Sequence, residues 1–199
     1  QNHEAANRLH TVVSLLEMGR PDEAVAFATS ELELAQQLTD QVVAAVGDPV
    51  VAALLLGKTA EAAERGVVLS VAGGLPADVG PVQPRELVTV LGNLVDNAFD
   101  AVAGRAGPRV EVSLAGDGDR LRVVVDDSGP GLAPEEAAQA MERGWTTKAS
   151  SGETGGRGLG LALVGQVARR HAGRVRVDSS PLGGARFEVE IHLGPEEEA

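Results

Sequence analysis

Four clusters of residues in this chain have types and spacings suited to chemistry. The first is Asn93-Leu-Val-Asp-Asn97. On a helix of period 3.6, Asn93, Asp96, Asn97 and Asp100 share one arc of roughly 100°, while Leu91, Leu94, Val95, Ala98 and Val102 take the other side. That polar face holds two amides and two carboxylates, and no Lys, Arg or Glu. Amide and carboxylate oxygens are hard ligands for Mg²⁺, and asparagine is unfavourable inside a helix. A solvated face is the ordinary reading of the same pattern. The second cluster is Asp127-Ser-Gly129-Pro-Gly131, directly after the apolar run Leu121–Val125. A carboxylate at a strand end can accept a hydrogen bond from the amino group of adenine, and the glycines allow close approach of the backbone to a ring. A plain strand-ending turn is the alternative.

The third cluster, Gly156-x-Gly158-x-Gly160, precedes a helical run. Backbone N–H groups at a helix start favour phosphate. A dinucleotide-binding βαβ unit is the rival, but its glycines should follow a strand directly. Here a long loop with Thr146, Thr147 and Lys148 intervenes, and the next acid, Asp178, lies beyond a strand of its own. The fourth cluster is His3-Glu4-Ala-Ala-Asn7. A zinc site of the H-E-x-x-H kind would need His at position 7, which is Asn7. His3 is then a candidate nucleophile with an adjacent carboxylate, against the ordinary reading of an incidental helical histidine.

These groups must be positioned by regular elements. Ala6, Leu9, Val12, Val13 and Leu16 form a helical stripe, broken at Gly19-Arg-Pro21. Pro21, followed by Asp22 and Glu23, suits the first turn of a second helix running to about Val46. Two helices with a short break read as an antiparallel hairpin, and a second copy is expected to complete a four-helix bundle. Helices are expected over Pro49–Arg65, Pro84–Val102 and Leu159–His171, with a short one at Pro134–Arg143. Strands are expected at Val67–Val71, Arg109–Leu114, Leu121–Val125, Val175–Val177 and Phe187–Ile191, with Asp117-Gly118 as a hairpin turn. Residues 128–157 read as a mobile loop and 195–199 as a disordered acidic tail. The fold class is α/β (α+β): a helical hairpin over 1–47, then an α/β sandwich with one mixed sheet over 48–194.

Composition bounds the function. The 199 residues carry a formal charge of −12, which argues against a phosphate-neutralising nucleic-acid face. Aromatics are only 2%, so the core is Val, Leu and Ala. With no cysteine there is no disulfide or thiolate site. The apolar runs Val42–Val46 and Val50–Leu56 are too short to insert into a bilayer. The abrupt start at Gln1 reads as a fragment lacking its N-terminal neighbour.

Taken in order, Asn93-x-x-x-Asn97, Asp127-x-Gly129-x-Gly131, Gly156-x-Gly158-x-Gly160 and Gly183-Gly-Ala-x-Phe187 resemble the N, G1, G2 and last glycine boxes of the ATP-binding domain shared by gyrase, the Hsp90 chaperone, histidine kinases and the MutL repair protein, the Bergerat type. Two positions depart from the pattern: Met141 stands where the lid often has Phe, and Ala185 where Thr is usual. His3-Glu4-x-x-Asn7-x-Leu9-His10, Met18-Gly-x-x-x-Glu23-Ala and Asp48-Pro49-Val-x-Ala52 resemble sensor histidine kinases of the citrate and C4-dicarboxylate type. The resemblance implies ATP and Mg²⁺ as ligands. It implies His3 as phosphoacceptor, with Glu4 taking its proton and Asn7 orienting a water for the reverse reaction. His10, on the same helix face without an acid following it, competes as acceptor. The resemblance further implies Asn97 and Asn93 at the metal and Asp127 at adenine. Gly129, Gly131, Thr147, Lys148, Gly156, Arg157, Gly158, Leu159 and Gly160 are then expected around the nucleotide. A homodimer, a response regulator receiver domain as partner and a parent protein anchored in the bacterial inner membrane, with this part cytoplasmic, complete the expectation. An ATP-driven clamp would want Glu at position 93. An anti-sigma serine kinase would lack the hairpin. A pseudokinase scaffold is the third alternative.

Overall fold

The computed structural model describes residues 2–132 and 159–194, and of 2–9, 31–43 and 159 the backbone only. The expected helix at 134–143 and the tail at 195–199 lie outside these residues. The chain divides into two compact units, 1–44 and 45–199.

In the first unit, α1 spans Asn2–Glu17 and α2 begins at Pro21, running to Val46. The break has a local cause. Gly19 takes φ +70°, and the Arg20 N–H reaches back to the Leu15 carbonyl at 3.0 Å while the Gly19 N–H reaches Leu16 at 3.0 Å. This pair of bonds satisfies the last carbonyls of α1 and needs the left-handed conformation that glycine adopts freely. Ala24 is buried, whereas Val13, Leu16, Met18 and Val25 are about half or more exposed.

The second unit is built on a five-stranded mixed sheet with strand order β1-β2-β3-β5-β4. The strands are β1 (Val68–Gly73), β2 (Arg109–Asp117), β3 (Arg120–Asp127), β4 (Arg174–Ser179) and β5 (Ala185–His192). Only β1 and β2 run parallel. The turn between β2 and β3 is one residue later than expected: Asp117 pairs with Arg120, so the two loop residues are Gly118 and Asp119, with Gly118 at φ +61°. Strands β2, β3, β4 and β5 outrun their apolar cores because ladder hydrogen bonds continue through polar residues.

Helices α3 (Pro49–Arg65), α4 (Pro84–Val102) and α5 (Leu159–Arg170) pack on the sheet. α5 stops one residue before the expected His171. α3 is set by its ends: the Asp48 carboxylate accepts from the Val50 and Val51 N–H groups at 2.8 and 2.9 Å, Pro49 occupies the first turn, and Gly66 closes it at φ +69°. α4 buries Leu87, Val90, Leu91, Leu94, Val95, Ala98, Phe99 and Val102. The helix-side sheet residues are in register, with Val112 opposite Val125, Leu114 opposite Val123, and Val123 opposite Val189. Each fully buried Val or Leu contributes about 1.5–3 kcal/mol relative to exposure, so this layer is where aliphatic residues substitute for the missing aromatics.

The opposite face of the sheet carries charges paired across strands. Arg186 grips Asp126 through two hydrogen bonds, at 2.9 and 2.7 Å. Arg122 meets Glu188 at 2.7 Å and Arg174 meets Glu190 at 2.5 Å. These partners hold the Glu188 and Glu190 carboxyls below their ordinary range, against the opposing effect of burial. The result is the expected α/β sandwich with one mixed sheet.

Candidate functional site

Strand alternation decides which of two adjacent aspartates is available. Leu121, Val123, Val125 and Asp127 point to the helix side, while Asp126 points to the charged side and is neutralised by Arg186. Asp127 is thus the last residue of β3, 2% exposed. The Gly129 N–H donates to its Oδ1 at 2.7 Å and the Ala185 N–H to the same oxygen at 3.2 Å. Among the described residues Oδ2 takes no bond. Burial raises the Asp127 pKa, the two N–H donors and Arg105 opposing and Asp126 adding to the rise. A buried carboxylate with one oxygen held and the other free is an oriented acceptor.

The glycines around it leave no room for side chains. A Cβ on Gly184 would land on Asp127 Oδ1 and on the Gly129 nitrogen, both already engaged. A Cβ on Gly129 would sit 2.7 Å from Asp127 Oδ1 and 3.0 Å from Ala101 Cβ. Gly131, at φ +73°, faces Gly184. The departure at position 185 costs nothing here, since its contribution is a backbone N–H.

Asn93, Asn97 and Ala101 follow one another at four-residue intervals along α4, one above the other on a single stripe. Asn93 and Asn97 are half-buried. The Asn93 Nδ2 donates to the Thr89 carbonyl at 2.7 Å, which fixes the amide and leaves Oδ1 as its acceptor end. Gly160, in the first turn of α5, abuts that end: a Cβ there would be 2.5 Å from Oδ1. The stripe therefore has the first-turn N–H groups of α5 at the Asn93 end, and Gly129 with Asp127 at the Ala101 end. The eight-residue step from Asn93 to Ala101 rises about 12 Å at 1.5 Å per residue. The structure brings together Asn93, Asn97, Asp127, Gly129, Gly131 and Gly160. Leu159 opens α5, described by its backbone. Thr147, Lys148, Gly156, Arg157 and Gly158 lie outside the described residues. His3, Glu4 and Asn7 sit on α1 in the first unit, described by their backbone.

The two aspartates of the same helical arc, Asp96 and Asp100, are engaged by cations of α3. Lys58 of α3 reaches Asp96 at 2.5 Å and Glu61 at 2.7 Å; Arg65 reaches Asp100 at 3.4 Å and stacks over Phe99 at 5.5 Å. Burial works against the Lys58 charge, but the hydrogen bonds to Asp96 and Glu61 outweigh it and raise its pKa. The helical arc alone could not show that α3 would cover its edge with cations. Two neutral amide oxygens on one stripe, beside a phosphate-favouring helix start, still suit a hard cation that completes its shell from phosphate and water. Among the described residues no cluster of three or more His, Cys, Asp or Glu could hold a metal.

Sequence reasoning missed the Gly184–Ala185 turn as the holder of Asp127, although its glycines were visible. It also missed a buried group at the far end of α4. Glu86 is 6% exposed and accepts from the Gln83 N–H at 3.0 Å, from Arg170 Nη1 at 2.5 Å and pairs with His171 Nε2 at 3.0 Å. Burial opposes its ionisation, but these three partners hold the carboxyl down to about 2. The Gln83-Pro-Arg-Glu86 spacing suggests a helix start; the partners from α5 leave no local sign.

The comparisons agree with this geometry. Residues 82–195 match the family described as histidine kinase-, DNA gyrase B- and HSP90-like ATPase. The chain is 36% identical to the sensor protein CitS of Halalkalibacterium halodurans over 96% of its own length and 36% of the relative's. It is 30% identical to the sensor histidine kinase DcuS of Escherichia coli, over 96% of the chain and 35% of the relative. It therefore spans about a third of the length of these curated relatives. Among solved structures, a mycobacterial sensor histidine kinase, MprB, is similar with a TM-score of 0.57 and 26% identity, over 72% of this chain and 93% of that one. With a matching model over more than half its residues, the chain belongs to the histidine kinase-, DNA gyrase B- and HSP90-like ATPase family.

Proposed function

We propose that this chain is the autophosphorylating core of a sensor histidine kinase of the citrate and C4-dicarboxylate type. It takes a phosphoryl group from ATP onto His3 and passes it to an aspartate of a response regulator receiver domain. The observation that carries the nucleotide half is the stripe Asn93–Asn97–Ala101, with an oriented buried carboxylate at one end and a helix start at the other. An adenine nucleotide laid along it meets Asp127 Oδ2 with its amino group and the α5 N–H groups with its phosphates. The Asn97 and Asn93 oxygens would hold Mg²⁺, which when bound offsets charge on the phosphate oxygens. Thr147, Lys148, Gly156, Arg157 and Gly158 belong to the nucleotide-binding set in this reading.

The imidazole of His3 attacks the γ-phosphorus. An N–P bond forms, the bond to the β–γ bridging oxygen breaks, ADP departs, and Glu4 takes the ring proton. Position 93 carries an amide and not a carboxylate, so no base stands there to activate water, which favours transfer over hydrolysis. Asn7 orients a water for dephosphorylation. Residues 1–47 act as the dimerisation and phosphoacceptor domain and 48–194 as the catalytic one. The exposed Val13, Leu16, Met18 and Val25 supply the apolar surface a second copy covers. Among the described residues no helix is long and apolar enough to cross a membrane; an anchor in the parent protein and a cytoplasmic place for this part go with the sensor-kinase reading.

The test is incubation with γ-labelled ATP and Mg²⁺, followed by acid and base treatment. Label on the parent should be acid-labile and base-stable, lost in His3→Gln and kept in His10→Gln. The opposite pattern for the two variants would overturn the acceptor assignment, and absence of label in the parent the kinase reading.

A further inference from the structure

The Glu86 cluster lies at the opposite end of the α4–α5 pair from the nucleotide stripe. α4 and α5 run antiparallel: the N-terminal turn of α4 meets the C-terminal end of α5 at Glu86, Arg170 and His171, and Asn93 of α4 meets Gly160 at the start of α5. The pair is therefore pinned at two places, seven residues apart on α4. At the first, one carboxylate receives a guanidinium, an imidazole and a backbone N–H while almost wholly out of water. The His171 carbonyl in turn accepts from the His192 N–H of β5 at 3.1 Å, so the clasp is tied to the sheet as well. The charges also suit the helix ends: a carboxylate in the first turn of α4, cations at the last turn of α5. At the second place there is no slack. Gly160 has no side chain to yield, and the Asn93 amide cannot swing away without giving up its bond to Thr89.

We infer that Glu86, clasped by Arg170 and His171, is a positioning residue. It sets the register of α5 on α4, and through it the distance between the α5 start and Asn93. The inference rests on the nucleotide reading above for its functional half, because that gap is where the phosphates and metal of ATP are assigned. The carboxylate has one geometry in which both groups from the α5 end reach it, and a sliding α5 breaks the bonds to Arg170 and His171 together. The adenine end, held by Asp127 and the Gly184–Ala185 turn, does not depend on that register.

The two ends predict different losses. Glu86→Gln keeps the volume and removes the charge. Mg²⁺–ATP, Mg²⁺–ADP and adenosine are titrated into the parent, into Glu86→Gln, and into Ile191→Val, a core deletion outside the clasp. In parallel, the Asn93 side-chain amide resonances are recorded without nucleotide on ¹⁵N-labelled protein. Glu86→Gln should weaken ATP at least fivefold more than adenosine and shift the Asn93 amide pair. Ile191→Val should weaken all three ligands alike and leave Asn93 in place. An unmoved Asn93 resonance in Glu86→Gln overturns the inference whatever the titrations give. A moved resonance with equal losses for ATP and adenosine overturns its functional half. Should the parent bind no adenine nucleotide, the proposed function fails, and the resonance alone decides whether the clasp sets the register. If Glu86→Gln does not fold, His171→Gln, which keeps the arginine bond, is read in the same two ways.

Discussion

Asp126 and Asp127 are neighbours with opposite fates, and their difference is the shortest route from residue to function in this molecule. Asp126 faces the charged side of the sheet and is neutralised by a bidentate arginine; Asp127 faces the helices, with one oxygen held by two N–H groups and the other free among the described residues. Asp127→Asn preserves the Oδ1 bonds and replaces the free acceptor with an N–H donor. ATP affinity should fall about fivefold or more, since opposing two donors in a buried site costs about 1–3 kcal/mol. The unliganded variant should melt no lower than the parent, because burial raises the Asp127 pKa and so disfavours the charged form that the amide removes. Calorimetric titration and a thermal melt check both. A lower melting temperature with unchanged affinity would make the carboxylate structural. The strand-end aspartate and its glycines were legible from local spacing. The pairing of Asp126 was not, because Arg186 lies 60 residues away.

At the scale of elements, the site depends on helices whose ends are sharply set. α3 carries its own start, with Asp48 capping and Pro49 following, and its own stop at Gly66. It then presents Lys58 and Arg65 to α4 and covers Asp96 and Asp100. Asp48→Ala should cost about 1 kcal/mol of stability, the usual worth of an N-cap. In urea this appears as a lower midpoint with an unchanged slope. A midpoint equal to the parent's would show that Val50 and Val51 find other acceptors. Helix bounds were readable because caps and breakers are local. The β2–β3 turn came one residue later than its Asp-Gly pair suggests, since register is set by the pairing of the whole strand and not by the turn alone.

At the scale of the molecule, the sheet has helices on one side and paired charges on the other, and one buried carboxylate, Glu86, lies between two helices. Its carboxyl is lowered from the ordinary 4.5 to about 2. The sign follows directly: a depressed carboxyl stabilises the fold above its unfolded pKa and loses that contribution as pH falls through the folded one. The contribution is roughly 3 kcal/mol at neutral pH, at about 1.4 kcal/mol for each pH unit between the folded and unfolded values. Unfolding in urea, followed from about pH 5 down to about pH 2, should show a steeper loss in the parent than in Glu86→Gln. Parallel curves for the two proteins would mean that Arg170 and His171 hold Glu86 no better than water does.

The sequence by itself determined what is periodic or punctuated: the amide stripe of α4, the carboxylate at the end of β3, the glycines that allow backbone to close on it, and the α/β class. These depend on residues within a turn or a strand of one another. The tertiary structure alone decided which charges are used up. Lys58 meets Asp96 across 38 residues, Arg170 meets Glu86 across 84, and Ala185 reaches Asp127 across 58. Such partners meet only because α3 packs on α4, β5 inserts between β3 and β4 and α5 lies back along α4. A carboxylate in a sequence is a charge of unknown fate; the fold, by bringing a cation or an N–H to it or withholding one, makes it a clasp, a surface pair or a binding group.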